Sequence, residues 1–193
     1  MDTKTIVAIV IVVIVVVMAV IVLALERKRR SQRLKEHFGP EYDRLLREQG
    51  DPRKTEAVLA DREKRVENFS VRALSREDKL RYADECANVQ KQFVDDPAMA
   101  VNEADNLVTV VMSARGYPMS NFEQRSADIS VHYPRVVQNY RAARVISLRN
   151  ATGQATTEEL RQALVYYRSL FDELLETTSK SETTGVSHGR IAS

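Results

Sequence analysis

Residues 6–25, IVAIVIVVIVVVMAVIVLAL, are twenty consecutive apolar residues without a charge, Pro, Gly or hydroxyl. A helix rises ~1.5 Å per residue, so the run covers roughly 30 Å, the thickness of a bilayer's hydrocarbon core. Its Val and Ile content suits a strand in water. In lipid, a lone strand leaves its N–H and C=O groups unpaired, so a single spanning segment must be helical. A buried core helix is the alternative, but core helices rarely stay apolar on every face for so long. The sequence therefore predicts a transmembrane helix at 6–25, preceded by a short N-terminus at 1–5.

The flanks set an orientation. Lys4 is the only cation ahead of the run, whereas Arg27, Lys28, Arg29, Arg30, Arg33 and Lys35 come after it. The positive-inside rule counts Lys and Arg near the span ends, so the N-terminus is expected outside and the C-terminal domain in the cytoplasm. The rival is a cleaved signal peptide that exports the domain. Against it, the apolar run exceeds the usual h-region, the n-region is weakly basic and no A-x-A-like site precedes Glu26. The six cations read most simply as a stop-transfer flank. They are also candidate contacts for anionic lipid headgroups.

Beyond the run, the chain reads as helices separated by punctuation. Gly39-Pro40 and Gly50-Asp51-Pro52 each combine a helix stop with a Pro suited to the first turn of the next helix. Ser75 with Asp78, Asp96 before Pro97, Ser120 with Glu123, and Thr156 with Glu159 look like N-caps. Pro134 is expected to open a helix that turns Val136, Val137, Tyr140, Ala143 and Ile146 inward. Val101, Ala104, Leu107, Val108, Val111 and Met112 repeat at helical spacing, as do Leu160, Ala163, Leu164, Tyr167, Phe171, Leu174 and Leu175. A helix from Ser75 to about Val94 is expected to bury Ala83, Cys86, Val89 and Phe93. Residues 53–69 carry only a thin stripe of Val58, Leu59, Val66 and Phe69, with a mixed-charge face at 63–67 that reads as solvated surface.

Scarce Gly and Pro, at 6 and 5, and no Trp favour helices over a turn-rich β fold. The expected fold class is all-α: one N-terminal transmembrane helix, then an antiparallel helical bundle of five or six helices. Its parts are a juxtamembrane charged region at 26–74, the bundle at 75–176 and a tail at 177–193. The tail has no period and few apolar groups, and is expected to be disordered.

Chemistry is thinly represented. A net charge of +2 gives no nucleic-acid signal. Asp95-Asp96 reads as a cap, and Cys86 on an apolar face reads as an inert thiol. The N-x-[ST] matches at Asn68 and Asn150 are chance in a cytoplasmic domain. Neither Glu-x-x-His nor a Gly-rich phosphate loop occurs, so no cofactor is expected. The enzyme or metal alternative rests on Glu103, Glu123, Asp128 and His132, since Asp128 and His132 are four apart. The stretches 115–123 and 132–140 are dense in Tyr and Arg, types favoured at interfaces. Arg115, Tyr117, Phe122, Tyr133, Arg135 and Tyr140 are thus the candidate surface for an unknown protein partner. The other reading is that these aromatics fill a corner where helices cross.

The run FVDDPAMAVNEADNLVTVVMSARGYPMSNFEQRSADISVHYPRVVQNYRAA at 93–143, with FGPEYDR at 38–44 and TEELRQALVYYRSLFDELLE at 157–176, resembles the core of an uncharacterised family of bacterial proteins. Its members begin with one hydrophobic segment and are often labelled only "secreted" or "membrane" protein. The resemblance implies a bacterial source and an inner-membrane address, and it brings no catalytic residue. Together these readings predict a membrane-anchored adaptor or scaffold, not an enzyme, with membrane lipid and an unidentified protein as partners.

Overall fold

A computed structural model describes the backbone of residues 3–176 and the side chains of residues 14–176. Within them the chain is all-α. Eight helices succeed one another: α1 (Thr3–Phe38), α2 (Pro40–Gln49), α3 (Pro52–Glu67), α4 (Arg76–Gln92), α5 (Pro97–Ala114), α6 (Phe122–His132), α7 (Val137–Ala151) and α8 (Thr157–Glu176). The tail expected at 177–193 lies outside the described residues, as do the side chains of 6–13 in the apolar run.

Contacts divide the chain into two compact units, Met1–Leu59 and Ala60–Ser193. The division falls inside α3.

In the first unit, α1 is one unbroken helix of 36 residues, ~54 Å long. Every described residue from Ile14 to Arg30 is exposed. The large apolar side chains between 14 and 25 are 47–61 % exposed. Successive residues point ~100° apart around a helix, so this uniformity means that no face of the segment is covered by the rest of the chain. Among the described residues no helix is long and apolar enough to cross a membrane. Within α1, the described apolar stretch at 14–25 is twelve residues, ~18 Å, against a hydrocarbon core of ~30 Å.

Farther along α1, a contact stripe begins. Leu34 and Phe38 are fully buried, and so are Tyr42 and Leu45 on α2. The turn between the two helices is at Gly39, whose φ of 45° lies in the left-handed region that favours Gly, with Pro40 next in the first turn of α2. Tyr42 donates from its hydroxyl to Glu56 of α3 at 3.4 Å. Glu41, fully buried, accepts a forked pair of bonds from Arg44, at 2.9 and 3.1 Å. A buried carboxylate without such a partner would be strongly destabilising.

The second unit is a helical bundle. Helix α5 packs on α4 and α8, α7 lies along α8, and α6 packs on α7. The core runs from Tyr82 and Val89 of α4 through the α5 stripe to Tyr140 of α7 and Leu160, Tyr167, Leu170 and Leu174 of α8. All six α5 positions expected from the period are buried. Caps agree with the sequence where their partners are local. Ser75 accepts from the Asp78 N–H at 3.0 Å, Asp96 accepts from the Met99 N–H at 2.9 Å, and Glu159 accepts from the Thr156 N–H at 2.8 Å.

Three local expectations are corrected. On α4 Ala83 is exposed and Tyr82 is buried. Of the other positions expected inward, Val89 is buried and Cys86 and Phe93 are half-buried against the core, so only the first place in the stripe changes, from Ala83 to Tyr82, which buries the larger apolar surface. The N-cap of α6 is Asn121, not Ser120, because the Asn121 side chain accepts from the Gln124 N–H at 2.9 Å. Pro134 does not open α7. Residues 134–136 form a turn that the Val137 N–H closes onto the Tyr133 carbonyl at 3.2 Å, and α7 starts at Val137.

The extended segment at 70–74 is pinned to the end of α5. The Arg72 N–H donates to the Arg115 carbonyl at 2.8 Å, and its Nε donates to the Ala114 carbonyl at 2.9 Å. Gly116, with φ of 91°, allows this approach: a Cβ there would lie 2.4 Å from the Ser70 carbonyl oxygen.

Candidate functional site

The Tyr- and Arg-rich stretch expected to face a partner is mostly interior. Arg115 is only 5 % exposed. Its Nη1 donates to the Leu174 carbonyl at 2.6 Å. That carbonyl belongs to the last turn of α8, where no helical N–H remains to satisfy it. The same guanidinium lies over the ring of Tyr133, which is buried. Tyr117 is buried, with its hydroxyl 2.6 Å from His132 Nδ1. Tyr140 is fully buried and accepts on its hydroxyl from Arg125 Nε at 2.9 Å. Phe122 is half-buried, its ring 4.9 Å from that of Tyr140. Of the six candidates only Arg135 is exposed. The surface reading of Arg115, Tyr117, Tyr133 and Tyr140 is therefore corrected: they fill the corner where α5, α6, α7 and α8 meet. Tyr and Arg suit a protein interface and a polar-edged core for the same reason, a large apolar body with a hydrogen-bonding tip.

That corner has a pH signature. Burial pushes the phenols of Tyr117, Tyr140 and Tyr167 above their ordinary 10.0. A folded-state pKa raised above the unfolded value gives stability that is complete below pH 10 and is lost as pH rises beyond it. Alkaline titration is expected to show the phenolate absorbance of these tyrosines rising together with loss of helical circular dichroism. Titration near pH 10 with the helices intact would contradict their burial.

Glu103, Glu123, Asp128 and His132 are not brought together, and among the described residues no three potential metal-binding side chains cluster. Glu103 accepts from Gln92. Asp128 is buried, where its Oδ1 accepts from Gln124 Nε2 at 2.8 Å and pairs with Arg65 Nε at 3.1 Å. Arg65 belongs to the mixed-charge face expected to be solvated, and is half-exposed while reaching into Asp128. Cys86 is half-buried above a dimple of ≈ 10 Å³ between α4, α5 and α8, barely room for one water. Burial raises its thiol pKa, which lowers its reactivity at neutral pH.

The feature with space and charge lies in the first unit. Arg27, Lys28, Arg29, Arg30, Arg33 and Lys35 are all exposed, as the sequence implies. Lys35 Nζ lies 5.3 Å from the centre of the Tyr42 ring. Arg27, Lys28, Arg30 and Ser31 of α1 and Arg53, Glu56 and Ala57 of α3 line one open groove of ≈ 550 Å³. Arg29, Arg30 and Arg33 line a neighbouring hollow. Arg53 is the residue that sequence reasoning missed. It sits in the first turn of α3, and only the turns at Gly39 and Gly50 fold it back beside Arg27.

No family model, curated protein or solved structure matches the chain.

Proposed function

We propose that this chain is a single-pass membrane protein whose α1 spans the bilayer through residues 6–25 and whose bundle acts as a protein-interaction adaptor or scaffold. The observation that carries the reading is the exposure of α1 at every angle between Ile14 and Leu25, in line with an apolar sequence that continues back to Ile6. A helix apolar and uncovered on all faces is costly in water and favourable in lipid. The cation-rich end of the run favours the bundle on the cytoplasmic side. The resemblance of 93–143 to bacterial proteins makes the inner membrane the address. Tethering raises the effective concentration of the bundle near membrane-resident partners, which suits binding more than turnover.

Protease added to intact bacterial spheroplasts tests the orientation. The bundle is expected to survive until the membrane is permeabilised, and digestion from outside would contradict it. In-cell crosslinking tests the adaptor role. Discrete protein adducts to the bundle are expected, and a bundle that crosslinks to lipid alone would contradict it.

A further inference from the structure

We infer that the groove between α1 and α3 is a docking site for the phosphate of an anionic phospholipid, with Arg53 of α3 closing the site that Arg27, Lys28 and Arg30 of α1 begin. This rests on the proposed membrane anchor and gives it a ligand.

Three observations support it. The first is juxtaposition: four cations from two helices line one groove, with Ser31 and Ala57 also in its lining and Glu56 as the one lining carboxylate. Glu56 accepts from the Tyr42 hydroxyl on Oε1 and forms no ion pair with the four cations. The second is availability. Among the described residues Arg27, Lys28, Arg30 and Arg53 make no ion pair, whereas Arg44 in the same unit is held by Glu41 and Glu48. Uncommitted guanidinium forks match phosphate oxygens in pairs.

The third is depth. Measured from Leu25 at ~1.5 Å per residue, Arg27 lies ~3 Å and Arg30 ~7.5 Å beyond the apolar segment. The headgroup layer occupies roughly 5–7.5 Å on each side of the hydrocarbon core. With residues 6–25 in the core, the groove sits at the level of the lipid phosphates. A lipid is therefore the occupant proposed, over phosphate from solution. The consequence is a second membrane attachment that ties α3, and not α1 alone, to the bilayer surface.

The test uses the full chain in lipid nanodiscs of phosphatidylcholine, alone or mixed with phosphatidylglycerol, with native mass spectrometry counting the lipids retained on the released protein. Wild type is expected to retain phosphatidylglycerol over phosphatidylcholine. Arg53→Gln is expected to lower that retention about fivefold, the effect of one cation near an anionic surface. Lys54→Gln removes the same charge from the neighbouring residue, which does not line the groove, and is expected to leave retention unchanged. Equal losses for the two variants would mean a diffuse charge effect and would overturn the site. So would displacement of the lipid by inorganic phosphate, which would make the groove a reader of free anions. Entry into phosphatidylcholine discs without preference for the anionic lipid would overturn the groove and leave the anchor standing. Failure to enter either disc would overturn the anchor, and the lipid assignment with it.

Discussion

Lysine at Val15, Val17 and Val20 together is expected to release the full chain from membranes while leaving its bundle folded. Each Lys near the centre of a spanning helix costs about 2.5–3.5 kcal/mol, so three cost about 8–10 kcal/mol. The Val, Ile and Leu residues of 6–25 supply about 0.3–0.6 kcal/mol each, roughly 5–10 kcal/mol in all. The substitutions thus cancel most or all of the insertion energy. The stretch at 14–25 is exposed throughout and supplies no residue to the bundle core, so helicity of the bundle is expected to persist. Alkaline extraction of membranes and circular dichroism of the released protein measure the two halves of this prediction. Leu at the same three positions is expected to stay in the pellet. If the run were instead a covered core helix, the lysines would unfold the protein.

Gly116→Ala is expected to destabilise the bundle by about 3 kcal/mol or more. Two costs add. At φ of 91° a side chain adopts a conformation that L residues rarely populate, a strain of about 1–3 kcal/mol. The new Cβ would also stand 2.4 Å from the Ser70 carbonyl oxygen, which is backbone and cannot swing aside. Relief requires the 70–74 segment to lift from α5, breaking the Arg72 to Arg115 hydrogen bond. Gly153, with φ of 68° and open space around its missing Cβ, is the control. Gly153→Ala is expected to cost about 1 kcal/mol, the strain alone. Urea unfolding of the two variants measures the difference. Equal midpoints would show that the close approach at Ser70 contributes nothing.

Legibility in the sequence was local. The α5 stripe comes from a period, and the caps at Ser75, Asp96 and Thr156 depend on residues three positions away. The one exchange on α4 marks the limit of periodicity: Tyr82 and Ala83 both fit a stripe with Cys86, Val89 and Phe93, and only the facing α5 surface selects between them. The Tyr- and Arg-rich elbow was legible as a concentration of one residue type, but not as interior. Arg115 is buried because the Leu174 carbonyl, 59 residues away, needs a donor. Arg53 was illegible for a similar reason. Its place beside Arg27 depends on the angles of two turns, which a Gly-Pro and a Gly-Asp-Pro announce without fixing.

The central claim is that residues 6–25 remain attached to the bundle and in the bilayer. The intact mass of the protein recovered from alkali-washed membranes tests it most directly. For the 193-residue chain, a species of 21.9 kDa in the pellet is the expected result. A soluble species lighter by the first two dozen or so residues would contradict it.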